Sequence, residues 1–244
     1  MRCNHKTHEA QSTGFVGVIF LAAIALSSPK ANAAPIVPSQ ELGQLGNVVQ
    51  ITATAPATKE APKGGSIQSL GVYLGGGLVL TSSDGIAPES WNAGYQVKLA
   101  DGRTLKAGGV KERPWLALLK LESIPADLEG VKISNRTAAA GEPVVAIGMA
   151  KTGFSDGFQF QTAAQGYVSS TPFRITENPK VAPLVAVSLS IQADYTGGPV
   201  FSRDEHGKPV ELVGVAVDDH GSLLMVPAST FVDGAAKQVS MAAR

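Results

Sequence analysis

The chain has 244 residues with 20 basic and 20 acidic side chains, no formal net charge, and one cysteine. Such a balance gives no electrostatic reason to expect nucleic acid or an anionic membrane surface as a partner. The single cysteine, Cys3, leaves nothing for an internal disulfide, so stability has to come from an apolar core.

The N-terminus carries Arg2 and Lys6, then the apolar run "GFVGVIFLAAIALSS", then Pro29 and the small-residue stretch "ANAA". That order predicts a secretory signal over residues 1–33 with cleavage after Ala33. The run falls short of the roughly 20 residues that span a bilayer, so no membrane association is expected after cleavage. Removing 1–33 takes away Arg2, Lys6, Lys30 and Glu9, which leaves 17 basic and 19 acidic residues. The expected product is an exported chain, periplasmic or secreted.

Residues 34–46 are rich in Pro, Gln and Gly without periodicity and read as an extended lead-in. From 47 onward the chain is a succession of short Val, Leu and Ile runs between turn signals: "VVQITATA", "LGVYLGGGLVLTS", "YQVKLADGRTLKAGGV", "WLALLKLES", "EPVVAIGMA", "GYVSS", "LVAVSLSIQ", "PVELVGVAV" and "LLMVPAS". Runs of this length and spacing predict an all-β sandwich or barrel. "VKLADGRTLKA" is the clearest hairpin, with Asp101-Gly102 able to supply positive φ angles. Helix signals are confined to "PASTFVDGAAKQVSMAA", with Ser229 or Thr230 as the N-cap. "ESIPADLEG" divides the strands into two groups.

Five stretches in fixed order carry a resemblance: "LTSSDGI", "WLALLKL", "GEPVVAIGMA", "DYTGGPV" and "MVPAS". They resemble the "LTNxHV", "DLAVLK", "GxxVxAIGxP", "GNSGGP" and "AIPS" stretches of trypsin-like serine proteases, specifically the HtrA/Deg branch. The resemblance runs from about Val48 to Val239. It implies two packed six-stranded β-barrels with a cleft between them: an N-barrel over 47–128, a C-barrel over 129–228, and a C-terminal helix over 229–242 that completes the domain 47–244.

The same resemblance assigns roles to positions whose residues have changed. Serine proteolysis needs a hydroxyl nucleophile, an imidazole base, a carboxylate that orients the imidazole, and donors for the oxyanion. Asp84 stands at the histidine position, and a carboxylate with an ordinary pKa near 3.9 is a poor base for a hydroxyl at neutral pH. At the position of the orienting aspartate stands Trp115, whose indole can only donate; an apolar packing role between the barrels is the plainer reading. Thr196 stands at the nucleophile and keeps a hydroxyl, but a threonine inside a chain cannot use an amino terminus as its base. Asp194 replaces a glycine whose N–H serves the oxyanion hole, and a carboxylate there opposes developing negative charge.

These four departures lead to the expectation of a catalytically inactive, exported module that binds a protein or an extended peptide. The resemblance places the peptide against the strand "ELVGVAV", at Gly214, Val215, Ala216 and Val217. The alternative is a serine/threonine-type endopeptidase that uses Thr196 with His220 or Asp84. His206 and His220 each precede a glycine in a charged turn sequence, which reads as solvated hairpin chemistry and offers no metal-ligand spacing. No metal and no cofactor are expected.

Overall fold

The structure, a computed structural model, describes residues 44–59, 64–87, 93–151, 159–190, 193–218 and 223–231. The expected signal 1–33, nearly all of the lead-in 34–46, His220 and all but the first residues of the expected helix 229–242 lie outside these. Gln44 to Asn47, at the end of the lead-in, make a 3-10 turn, and Ala228–Thr230 forms another after the last strand.

Among the described residues, twelve strands make two closed barrels. The first holds β1 (Val48–Ala55), β2 (Gly65–Gly75), β3 (Leu78–Ser82), β4 (Gly94–Lys98), β5 (Thr104–Arg113) and β6 (Leu116–Leu121). The second holds β7 (Pro143–Lys151), β8 (Gln159–Val168), β9 (Val185–Leu189), β10 (Pro199–Arg203), β11 (Pro209–Asp218) and β12 (Leu223–Pro227). Their orders, β1-β2-β3-β6-β5-β4 and β7-β8-β9-β12-β11-β10, are the same connection pattern used twice. The expected trypsin-like double barrel is what the chain forms.

Alternation along each strand decides which core a side chain enters. In β3, Val79 points into the first barrel, where it joins Ile51, Tyr73 and Leu119, whereas Leu78 and Leu80 point out of it. In β7, Val144 and Ala146 fill the second barrel, whereas Val145, Ile147 and Met149 point out. The outward sets meet in a third cluster, with Leu70, Leu116, Phe201 and Val215 among its members. Strands that face a barrel interior on one side and the other barrel on the other are apolar on both faces. That is why "LGVYLGGGLVLTS" shows no polar alternation, and why β3 is buried along its whole length.

The β4–β5 hairpin departs from the expected turn in one respect. Of Asp101 and Gly102, Gly102 alone has positive φ, at 91°. Leu99 N–H donates to Arg103 O (2.8 Å) and Gly102 N–H to Leu99 O (3.0 Å), which is a three-residue loop closed by a left-handed glycine. Asp101 contributes through its side chain instead, accepting from the Arg103 N–H (3.0 Å) and from Nε (2.7 Å).

Before β7, Arg136 binds Glu142 through both terminal nitrogens (2.6 and 2.8 Å), and Glu142 also accepts from the Ala139 N–H (3.0 Å). The Arg136 hydrogen bond holds the Glu142 carboxyl below its usual value. A folded-state pKa below the unfolded one contributes stability above the unfolded pKa, and this is lost as pH falls through the folded value. Glu142→Gln is expected to cost about 1–2 kcal/mol at neutral pH and little in acid below both pKa values. Urea unfolding at the two pH values checks it; an equal loss at both would remove the charge from the explanation.

Candidate functional site

Hydrogen bonds bring the Asp84, Trp115 and Thr196 positions to one place at the barrel interface. Asp84 lies in the 3-10 turn Ser83–Gly85, capped by Ser82 Oγ, which accepts from the Gly85 N–H (3.1 Å). Ser69 Oγ fastens the other side of that turn by donating to Gly85 O (2.7 Å). Ser83 N–H donates to Trp115 O (3.0 Å), which joins this turn to the β5–β6 hairpin. On the second barrel's side, Leu70 N–H donates to Thr196 O (3.3 Å), and Thr81 Oγ1 donates to Leu70 O (2.6 Å).

Thr81 Oγ1 is where the two turns meet. A Cβ placed on Gly85 would lie 2.7 Å from it, and one on Gly197 would lie 2.2 Å from it. The two turns therefore close on the same buried hydroxyl. Only residues without a side chain fit there.

Trp115 has φ 73°, the one positive φ among described non-glycine residues. Pro114 fixes its own φ near −65°, so the pair meets the φ pattern of a type II turn, which ordinarily places glycine second. Forcing an L-residue there costs roughly 1–2 kcal/mol. The indole packs against the inter-barrel cluster, and its Nε1 is buried without a hydrogen-bond partner. The Asp84 side chain is exposed. No hydrogen bond joins the side chains of Asp84, Trp115 and Thr196 among the described residues.

The turn around Thr196 is closed by its own groups. Thr196 N–H donates to Asp194 Oδ1 (3.0 Å), an Asx turn. Asp194 N–H donates to Met149 O (3.0 Å), and Met149 N–H donates to Asp194 O (2.7 Å). Oxyanion stabilisation needs N–H groups that point together at an empty position. Here the N–H groups on both sides of the turn are already donating, one of them to a carboxylate. Sequence reasoning placed Asp194 at this position but missed the Asx turn. The signal was present, since aspartate two residues before a turn amide is the usual Asx pattern.

The strand β11 is no free edge at Gly214, Val215 and Ala216: Val215 pairs with Pro199 and Val226, and Gly214 with Val200 and Pro227. Ala216 N–H donates to Gly198 O (2.9 Å), and its carbonyl accepts from Gly197 N–H (3.0 Å). Both backbone groups of Ala216 are thus taken up by the Gly197–Gly198 turn. Gly214 makes its close approach to β12, where a Cβ would meet Met225 Sδ at 2.6 Å and Val226 O at 2.8 Å. Of the four expected positions, Ala216 and Val217 lie beyond the last β10 pair, Pro199–Val215, and Ala216 is bonded instead to Gly197 and Gly198.

His206 is exposed in a surface turn closed by Asp204, whose Oδ1 accepts from the His206 (3.0 Å) and Lys208 (2.8 Å) amides. No cluster of three or more metal-ligating side chains occurs among the described residues. Tyr195, next to Thr196, is buried against Gly148, and burial raises its phenol pKa.

The family described as "Trypsin-like peptidase domain" matches residues 69–215. A probable periplasmic serine endoprotease DegP-like of Pseudomonas fulva (strain 12-X) is 29% identical over 167 residues. The aligned part is 66% of this chain and 32% of that protein, so the chain spans about a third of the length of this relative.

Proposed function

The chain belongs to the trypsin-like peptidase domain family, and on that premise we propose that it is an exported, non-cleaving member that binds a protein or an extended peptide. The observation that carries this reading is the Thr196 turn, whose two flanking N–H groups are held by Met149 O and the Asp194 carboxylate. An acyl-transfer site needs those donors free and an imidazole beside the hydroxyl. Asp84, Trp115 and Thr196 supply no such pairing. A periplasmic relative supports export, as does the order of residues 1–33.

The binding segment is the end of β11 at Val217 and Asp218, beyond the last pair with β10 at Val215. Strand addition there needs backbone groups and not the triad, so it survives loss of catalysis.

The test is incubation of the exported chain with unfolded casein and with a fluorophosphonate probe, beside Thr196→Ala. Its intact mass also reports whether the mature chain begins at Ala34. No cleavage and no labelling is the expected result for both forms. Cleavage or labelling that disappears with Thr196→Ala would establish the threonine-type endopeptidase instead.

A further inference from the structure

A groove of about 300 Å³ lies outside the Thr196 turn, with Pro114, Leu116, Arg174, Lys180, Val181 and Phe231 among its walls. One wall is the loop that joins β8 to β9, and this loop is built to hold one shape. Phe173 and Leu184 exchange backbone hydrogen bonds (2.9 and 2.8 Å), and the Arg174 guanidinium donates to the carbonyls of Pro179 and Val181. Asn178 Oδ1 accepts from the Lys180 N–H (3.0 Å), and Val181 N–H donates to Asn178 O (3.1 Å). Despite this order the loop keeps Ile175 57% exposed and Phe173 37% exposed.

Two cations stand in a lining that is otherwise mostly apolar. Arg174 and Lys180 lie on the loop wall beside Pro179, Val181, Ala182 and Pro183, and Pro114, Leu116 and Phe231 face them. Among the described residues no acidic side chain lines it; Glu177 is on the loop but not among the lining residues. Neither Arg174 nor Lys180 has an ion-pair partner among the described residues. A segment lying along the groove therefore meets hydrocarbon on both walls and two cations on the loop side. The volume is at the small end for ligand cavities, which suits a short segment better than a folded face.

We propose that this groove docks an apolar peptide segment that presents an acidic side chain toward Arg174 and Lys180. Asp84, Trp115 and Thr196 are not among the lining residues, and the proposal goes beyond the reading given for them.

The probe is the C-terminally amidated, fluorescein-labelled peptide Gly-Leu-Glu-Val-Leu-Glu-Phe-Gly, followed by anisotropy and by amide shifts in the NMR spectrum of the full chain. The expected result is saturable binding that added salt weakens, with shifts at Leu116, Arg174 and Lys180 to Ala182. Lys180→Glu is the informative variant, because only the backbone N–H of Lys180 holds the loop. Turning an exposed attraction into a repulsion is expected to weaken binding at least about threefold, and replacing both glutamates by lysine should do the same. Unchanged affinity in Lys180→Glu, once circular dichroism shows both forms folded, would overturn the proposal. So would shifts centred on Val217, or equal binding of a glutamate-free peptide whose carboxylate is a free C-terminus.

Discussion

Gly197→Ala is expected to destabilise the protein by about 3–5 kcal/mol, a large part of the 5–15 kcal/mol that a domain ordinarily has. Two costs combine. Gly197 has φ 75°, where any L-residue carries roughly 1–2 kcal/mol of strain. The added Cβ would also stand 2.2 Å from both Leu70 O and Thr81 Oγ1, so the first barrel has to move away from the Thr196 turn. That movement breaks the Leu70–Thr196 hydrogen bond and opens the apolar interface around Leu70 and Phe201. Gly102→Ala separates the two costs, because Gly102 has φ 91° but nothing within 4 Å of its Cβ position. Urea unfolding of both variants should show the strain alone in Gly102→Ala and strain plus clash in Gly197→Ala. Equal losses would mean that the turn and the first barrel do not hold each other.

The strands were legible because closure of a barrel writes itself into composition. "VVQITATA" is β1 to the residue, and "ADGRT" marks the β4–β5 turn. The double barrel followed from the order of five short stretches, none of which specifies it alone. What composition could not show is which neighbour each strand face meets. Leu70 and Tyr73 look alike as members of one apolar run, yet one packs between the barrels and the other inside the first. Nor does composition show that β11 pairs with both β10 and β12 at Gly214 and Val215, since a strand that ends one hydrogen-bonded ladder and a strand in the middle of two have the same composition. At the site, the residue types at 84, 115, 194 and 196 were readable directly. The closure of the turn by Asp194 Oδ1 was not, because it depends on where Met149 lies.

Ala216→Pro is expected to unfold the second barrel or to leave it only marginally stable. Ala216 is 1% exposed, pairs with Met225 on β12, and gives its N–H to Gly198 O at 2.9 Å. Proline has no N–H to give, and its ring does not fit between the β12 ladder and the Gly197–Gly198 turn; an interior proline costs about 3 kcal/mol or more. The Gly198 carbonyl, buried in the turn, then loses its partner at a further cost of about 1–3 kcal/mol. The sum is of the order of the whole stability, and it lands on the turn that holds Thr196, because the Ala216 carbonyl also receives the Gly197 N–H. Thermal unfolding should show a midpoint lowered by about 8 °C or more, at 2–4 °C per kcal/mol for a chain of this size. Hydrogen exchange at the Gly197 amide should accelerate in parallel. A variant that melts like the wild type and keeps that amide protected would show that β11 is an open edge at Ala216 after all, and would return the peptide site to Gly214, Val215 and Ala216.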